Sequence, residues 1–310
     1  MDEYVLETVG LSKRYKKFFA LNDVNLHVRR GDIYGFVGKN GAGKTTLIRI
    51  ITGVAEKTSG KFYLFGEKNP DNFVKSRSKI GAVVENPAIA LNMNAHDNLM
   101  CQCTLLGIRE PAKKILEVMD TVGLTSLLEK RKLLAKNYSL GMRQRLGIAM
   151  ALISDPELLL LDEPTNGLDP EGIKDMRLLL TKLAKEKNVT ILISSHILGE
   201  LSKLATCYGF IDHGKLIEEI SAEELEKRCQ KAVVLSMSDT SAAIPVLQGL
   251  GLSQESFEIV EKGVRVFGEI NLATLIVALA QQGIIVNNIH EQNEDLEGYF
   301  INLIGGNRHE

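Results

Sequence analysis

No apolar run in the sequence approaches the roughly 20 residues that a membrane-spanning helix needs. The most apolar tract, Leu272 to Val286, is broken by Gln281, Gln282 and Gly283. The expectation is a chain that does not cross a bilayer by itself. The N-terminus, Met1-Asp2-Glu3, is acidic and opens no signal peptide, so a cytoplasmic location is expected. Neither sign of charge is in excess: 37 Lys plus Arg stand against 39 Asp plus Glu, a formal net charge of −2. A dedicated nucleic-acid binder usually carries a basic stripe, so no nucleic-acid partner is expected. Cysteine is scarce. Cys101 and Cys103 form C-x-C, but Cys207 and Cys229 lie far apart and complete no zinc site. The four read as free thiols in a reducing compartment. There is no internal repeat and no low-complexity segment, and 310 residues are enough for two domains.

What the chain does have is Gly38-Lys39-Asn40-Gly41-Ala42-Gly43-Lys44-Thr45-Thr46, a match to Gly-x-x-x-x-Gly-Lys-[Ser/Thr]. The apolar run Ile33 to Val37 before it reads as a buried strand. Leu47 to Ile51 after it continues as a helix until Gly53. Strand, glycine-rich loop and helix are the arrangement that phosphate binding needs. Gly38, Gly41 and Gly43 let the backbone turn its N–H groups inward at a helix N-terminus. Lys44 can neutralise outer phosphates, and the Thr45 hydroxyl can ligate Mg²⁺.

Residues 4 to 28 alternate in polarity, as in Tyr4 to Val9 and Leu21 to Val28, and predict antiparallel strands. Tyr15 lies in that hairpin among Lys13, Arg14, Lys16 and Lys17, where an aromatic can stack on a purine. From about 87 to 153 the pattern turns helical, with helices expected at Asp97 to Leu106, Pro111 to Val122 and Gly141 to Ile153. Buried strands follow at Glu157 to Leu161 and Val189 to Ile193, separated by an amphipathic helix from Pro170 to Lys187. Ile197 to Ala205 reads as helical, and Cys207 to Ile211 with Lys215 to Glu219 reads as a hairpin. The alternation implies a doubly wound α/β fold with a largely parallel sheet. After the helix Ala222 to Gln230 the order becomes β-α-β-β-α-β, that of a ferredoxin-like α+β unit, with a last helix from Asp295 to Leu303. Two domains are expected, 1–229 and 230–310.

The chemistry gathers at strand ends. Leu158 to Leu161 runs into Asp162-Glu163-Pro164. Carboxylates at the carboxyl end of a parallel strand lie on the ligand-binding edge. Asp162 can hold Mg²⁺, and Glu163 can polarise an attacking water. The next strand ends in Ser194-Ser195-His196, and His196 can donate to a γ-phosphate oxygen. Ser139 and Gly141 open a helix. Either they form a second anion site or they cap an ordinary helix, and physics alone leaves both readings open.

The ordered set Gly38 to Thr46, Ser139 to Arg145, Leu158 to Pro164, Asn166-Gly167-Leu168-Asp169 and His196 resembles the ATP-binding cassette family over residues 4 to about 220. The resemblance implies a P-loop ATPase fold with an N-terminal antiparallel β subdomain, a mainly parallel core sheet and a helical subdomain. It implies that Tyr15 stacks on adenine and that Ser139 and Gly141 bind the γ-phosphate held by the opposite subunit. Asp169 would belong to the loop that crosses the interface of a head-to-tail dimer. The family also implies a separate transmembrane permease, docked on the segment around Glu85 to Leu106 at the inner face of the cell membrane.

Two departures stand out. Tyr138-Ser139-Leu140-Gly141-Met142 replaces the family's Leu-Ser-Gly-Gly-Gln, and Glu85 stands where a Gln is usual. Glu85 can orient water or bind Mg²⁺, and it adds a negative charge. Glu85-Asn86-Pro87 together with Ser-Leu-Gly-Met resembles the branch that exports bacitracin and lantibiotics. The alternatives are a translation or DNA-repair ATPase, against which the single cassette and neutral charge count, and a dimerisation switch, against which Glu163 counts.

Overall fold

The computed structural model describes residues 4–67, 73–229, 232–237, 240–252, 256–260, 263–267, 271–292, 298–301 and 303. The chain divides into two compact units, Met1–Ala222 and Glu223–Glu310. In chain order the first unit comprises β1 (Tyr4–Tyr15), β2 (Phe18–Val24), β3 (His27–Arg29), β4 (Ile33–Val37), α1 (Lys44–Thr52), β5 (Ser59–Leu64), α2 (Phe73–Arg77) and β6 (Ile80–Val83). It continues with α3 (Ala95–Leu105), α4 (Pro111–Thr121), α5 (Leu140–Leu152), β7 (Leu158–Asp162), α6 (Pro170–Lys187), β8 (Thr190–Ser195), α7 (Leu198–Leu201), β9 (Cys207–Asp212) and β10 (Lys215–Ser221).

The alternating N-terminal residues form an antiparallel sheet in which β1 pairs with β2, β3 and β5. The strand expected over Leu21 to Val28 is split at Asn25-Leu26. There side chains take over part of the ladder: Gly10 N donates to Asn25 Oδ1 at 2.8 Å and Leu26 N donates to Thr8 Oγ1 at 2.9 Å, while Thr8 N still donates to Leu26 O at 2.8 Å. Strand β5 has only two buried side chains, Phe62 and Leu64, too short an alternation to register in the sequence.

The second sheet runs β6-β7-β8-β4-β9-β10, parallel except for the edge strand β10. Every residue of β4, β7 and β8 is buried, as expected of strands covered on both faces. Helix α7 is shorter than the expected Ile197 to Ala205. Leu204 N and Ala205 N both bond to Leu201 O, closing a turn that delivers Thr206 N to Ile33 O beside β4. In the helical segment, α3 starts two residues before the expected Asp97 because Asn94 caps it, its Oδ1 accepting from Asp97 N at 2.9 Å.

The second unit carries α8 (Ala222–Arg228, its first residue in the first unit), β11 (Ala232–Met237), α9 (Thr240–Gly249), β12 (Phe257–Val260), β13 (Gly263–Phe267), α10 (Leu272–Gln281) and β14 (Val286–Gln292). Its antiparallel sheet runs β12-β13-β11-β14, the strand order of a ferredoxin-like unit. Leu235, Val264 and Val266 of the sheet pack with Leu247, Leu275 and Leu279 of the helices. Residues 298–301 and 303 are helical, while Lys262 and Asp295 lie outside the described residues. Among the described residues, no helix is long and apolar enough to cross a membrane.

Candidate active site

The parallel strands β6, β7, β8 and β4 lie side by side and end on one edge. They deliver, in that order, Glu85, Asp162 with Glu163, His196 and the glycine loop. Asp162 is in register with Ser194, and Val37 with Ser195. An apolar interior fixes this placement, because a buried strand can pair only through its ladder and slips at the cost of the whole core.

The loop is a tight fit. At Gly43, φ is 116° and a Cβ would stand 2.4 Å from Ala20 O. At Gly38 a Cβ would stand 2.5 Å from Ile211 O. Helix α1 has no side-chain N-cap, which leaves its first-turn amides free of a capping side chain. Lys44 is 5% exposed. Its Nζ donates to Gly38 O at 2.6 Å and Lys39 O at 3.2 Å, and lies 3.2 Å from Glu163 Oε1. Ala42 is buried, Thr46 is half-buried in the first turn of α1, and Lys39, Asn40 and Gly41 face solvent.

Thr45 Oγ1 donates to Asp162 Oδ2 at 2.7 Å, so the alcohol and the carboxylate named from sequence meet. Ser194 Oγ donates to Asp162 Oδ1 at 2.6 Å and accepts from Glu163 N at 3.0 Å. His196 Nδ1 lies 2.8 Å from Glu163 Oε2. Glu163 itself has φ of 49° and Glu85 has φ of 58°. Non-glycine residues hold that left-handed backbone only where the surroundings impose it, often at functional sites. Asn40, Thr45, Glu85, Gln144, Asp162 and Glu163 line one cleft of about 420 Å³. Three residues that sequence reasoning left without a role enter here. Ser194 ties the two carboxylates together, Arg49 Nη2 donates to Glu85 Oε1 at 2.5 Å, and Gln144 is 4% exposed with Oε1 unpartnered among the described residues. Only Ser194, two residues before the singled-out His196, left a trace in the sequence.

Ser139, Gly141 and Asp169 are not in this cleft. They line a second one, of about 490 Å³. Ser139 Oγ accepts from Met142 N at 3.2 Å and caps α5, and Asp169 Oδ1 accepts from Gly172 N at 3.0 Å and caps α6. Leu140 and Gly167 border both clefts. Tyr15 stands apart on the β1–β2 hairpin, 45% exposed, with Lys13 Nζ 4.8 Å from its ring centre. Ala20 of the same hairpin touches the loop at Gly43.

The ABC transporter family model matches residues 21–166. The chain is 44% identical over 308 residues to the bacitracin transport ATP-binding protein BcrA of Bacillus licheniformis, covering 97% of this chain and 98% of that protein. The chain belongs to the ABC transporter family. It is an ATP-binding, ATP-hydrolysing subunit of that family. The cassette is also 44% identical over 215 residues to the lantibiotic transport ATP-binding protein SrtF of Streptococcus pyogenes, covering 69% of this chain and 90% of that protein. Among solved structures, the dimeric post-hydrolysis cassette MJ0796 bound to ADP and Pi superposes with a TM-score of 0.61 at 25% identity, covering 70% of this chain and 98% of that one. The antiparallel subdomain, parallel core sheet and helical segment of the cassette are those of the family fold.

Proposed function

We propose that two copies of the cassette, head to tail, close on ATP and power a separate membrane permease that exports a peptide antibiotic or a similar amphiphile. The observation that carries this reading is the separation of the two clefts within one chain. The loop cleft is lined by Thr45 and the carboxylates, with Lys44 Nζ 3.2 Å from Glu163 Oε1, and the Ser139–Gly141–Asp169 cleft shares only Leu140 and Gly167 with it. Each is half of a site, and a second copy supplies the other half.

In the assembled site the amides of the loop and Lys44 bind the phosphates, Tyr15 stacks on the base, and Ser139 and Gly141 of the other copy bind the γ-phosphate. Glu163 accepts the proton of the attacking water, and His196 holds Glu163 in place and donates toward the γ-phosphate. Thr45 and Asp162 are hard oxygen donors 2.7 Å apart, a set that fits Mg²⁺; Glu85 lines the same cleft, but its carboxylate is engaged by Arg49 at 2.5 Å. Among the described residues no group of three or more His, Cys, Asp or Glu would hold a metal alone, so these residues would hold the ion together with the nucleotide's own phosphates. Bound there, Mg²⁺ would offset charge on the phosphoryl oxygens.

A groove of about 680 Å³, bordered by Val83, Pro87, Gln102, Leu106 and Met150, lies next to the Glu85 segment and suits docking of the permease at the inner face of the membrane. The cargo class rests on the similarity to BcrA, which at 97% of this chain must include most of the second unit.

Mixing tests the composite site. Lys44→Ala and Ser139→Arg copies are each expected to be inactive alone, and a mixture should regain part of the ATPase, because one site per mixed dimer is intact. No recovery on mixing would refute the shared site. Cells carrying the chain with its permease should survive higher bacitracin or lantibiotic levels than cells carrying the Glu163→Gln chain. Stable association with ribosomes and with no membrane protein would overturn the transport reading.

A further inference from the structure

Three carboxylates line the loop cleft, and their counter-charges differ. Asp162 accepts from Thr45 and Ser194, and Glu163 meets Lys44 and His196. Glu85 faces neither set. Its Oε1 accepts from Nη2 of Arg49 at 2.5 Å, and the two side chains are 54% and 39% exposed. Arg49 sits in the last turn of α1, the helix that begins at Lys44. The same rigid helix therefore presents its N-terminus to phosphate and, from its far end, a cation to Glu85. Helix α1 packs Leu47, Ile48, Ile50 and Ile51 into the core, so neither end moves independently. A triphosphate entering this cleft meets a third negative charge at Glu85, which opposes binding unless it is neutralised.

We infer that Arg49 is a positioning residue for nucleotide binding. It cancels the charge of Glu85 and holds that carboxylate at its left-handed backbone position, so that the cleft accepts a polyanion. This inference rests on the reading of the cleft as the nucleotide-phosphate site. The pair also links the helix under the phosphates to the segment that borders the permease groove, since Val83, Val84, Asn86 and Pro87 line that groove on either side of Glu85.

The experiment measures binding of a fluorescent ATP analogue, with Mg²⁺ and with EDTA, alongside steady-state ATPase and thermal unfolding. The proteins are wild type, Arg49→Ala, Arg49→Lys, Glu85→Gln and the Arg49→Ala/Glu85→Gln double variant. Arg49→Ala should raise Kd and KM about three- to fivefold, the scale of a partly exposed ion pair, with kcat changed less. The effect should be larger at low salt. Arg49→Lys should recover part of the affinity, because it restores the charge without the planar fork. The double variant should bind as tightly as Glu85→Gln alone, because no uncompensated charge remains. Unchanged affinity in a folded Arg49→Ala protein would overturn the inference. So would weakened affinity that Glu85→Gln does not restore, which would make Arg49 a direct phosphate ligand or a structural prop. A Lys44→Ala chain serves as the control for the site itself. If it binds the analogue normally, the nucleotide reading of the cleft fails, whatever Arg49 does.

Discussion

Removing one hydroxyl, by Ser194→Ala, tests whether the two strand-end carboxylates are held as a unit. Ser194 is 0% exposed and Asp162 is 3% exposed, so the bond between them is largely shielded from water. The hydroxyl donates to Asp162 Oδ1 at 2.6 Å, a bond to a buried charge, whose removal costs about 1.5–3 kcal/mol. The loss at Glu163 is smaller, since Glu163 N keeps Ser194 O at 3.2 Å when the 3.0 Å bond to Oγ is gone. Alanine keeps the Cβ, so the cavity term is small. A net loss of about 2 kcal/mol in a unit of this size lowers Tm by roughly 4–8 °C. Asp162 retains Thr45 at 2.7 Å, so nucleotide affinity should change little. Glu163 loses one of the bonds that hold its left-handed backbone, and kcat should fall about tenfold, because small displacements of a reacting group are costly. The assay is thermal unfolding without nucleotide, followed by steady-state ATPase across ATP concentrations. A Tm within about 1 °C of wild type, together with unchanged kcat, would refute the reasoning, since neither the bond's worth nor the geometry it fixes would be real.

Glu163→Gln should lower turnover by about 10²-fold or more while the ATP-bound dimer accumulates, seen as a doubled mass on size-exclusion chromatography; undiminished turnover would remove Glu163 as the base. Gly43→Ala should abolish nucleotide binding and cost several kcal/mol, since its Cβ would meet Ala20 O at 2.4 Å with φ of 116°. Gly41→Ala, with φ of 83° and nothing within 4 Å, should cost only about 1–2 kcal/mol, and equal losses at the two positions in urea unfolding would contradict the fit described for the loop. Burial, then the Asp32 and Glu219 carboxylates, push the Cys207 thiol up to about 11. The neutral thiol is favoured in the fold, so its contribution to stability is present below the ordinary thiol range and is lost as pH rises toward 11. Iodoacetamide at pH 8 should therefore label the exposed Cys101 well before Cys207 in peptide mass spectra, and equal rates would contradict this environment.

Much of the fold was legible because its signals are local. Strand, loop and helix around Gly38 to Thr46 are contiguous, and the fully apolar strands β7 and β8 announce burial on both faces. The order β-α-β-β-α-β was equally readable in the second unit. What was missed needed distant neighbours. The run Leu21 to Val28 alternates as a strand should, yet Thr8 and Asn25 side chains interrupt its ladder. Helix α7 stops early because Ala205 must turn the chain back to the sheet. Arg49 looks like any exposed helix arginine, and Ser194 like any strand serine, until Glu85 and Asp162 are brought beside them.

The sequence by itself brought each candidate segment into view, because glycine-rich loop, carboxylate pair, histidine and helix cap are each a few consecutive residues. Only the tertiary structure decided which of them share a cleft. Parallel strands pair by hydrogen bonds between segments remote in the chain, and nothing local fixes that β6, β7, β8 and β4 stand in that order. That order sets Glu85, Asp162, Glu163 and His196 beside Lys44 and Thr45, and the folding of α5 and α6 sends Ser139 and Asp169 to a cleft of their own.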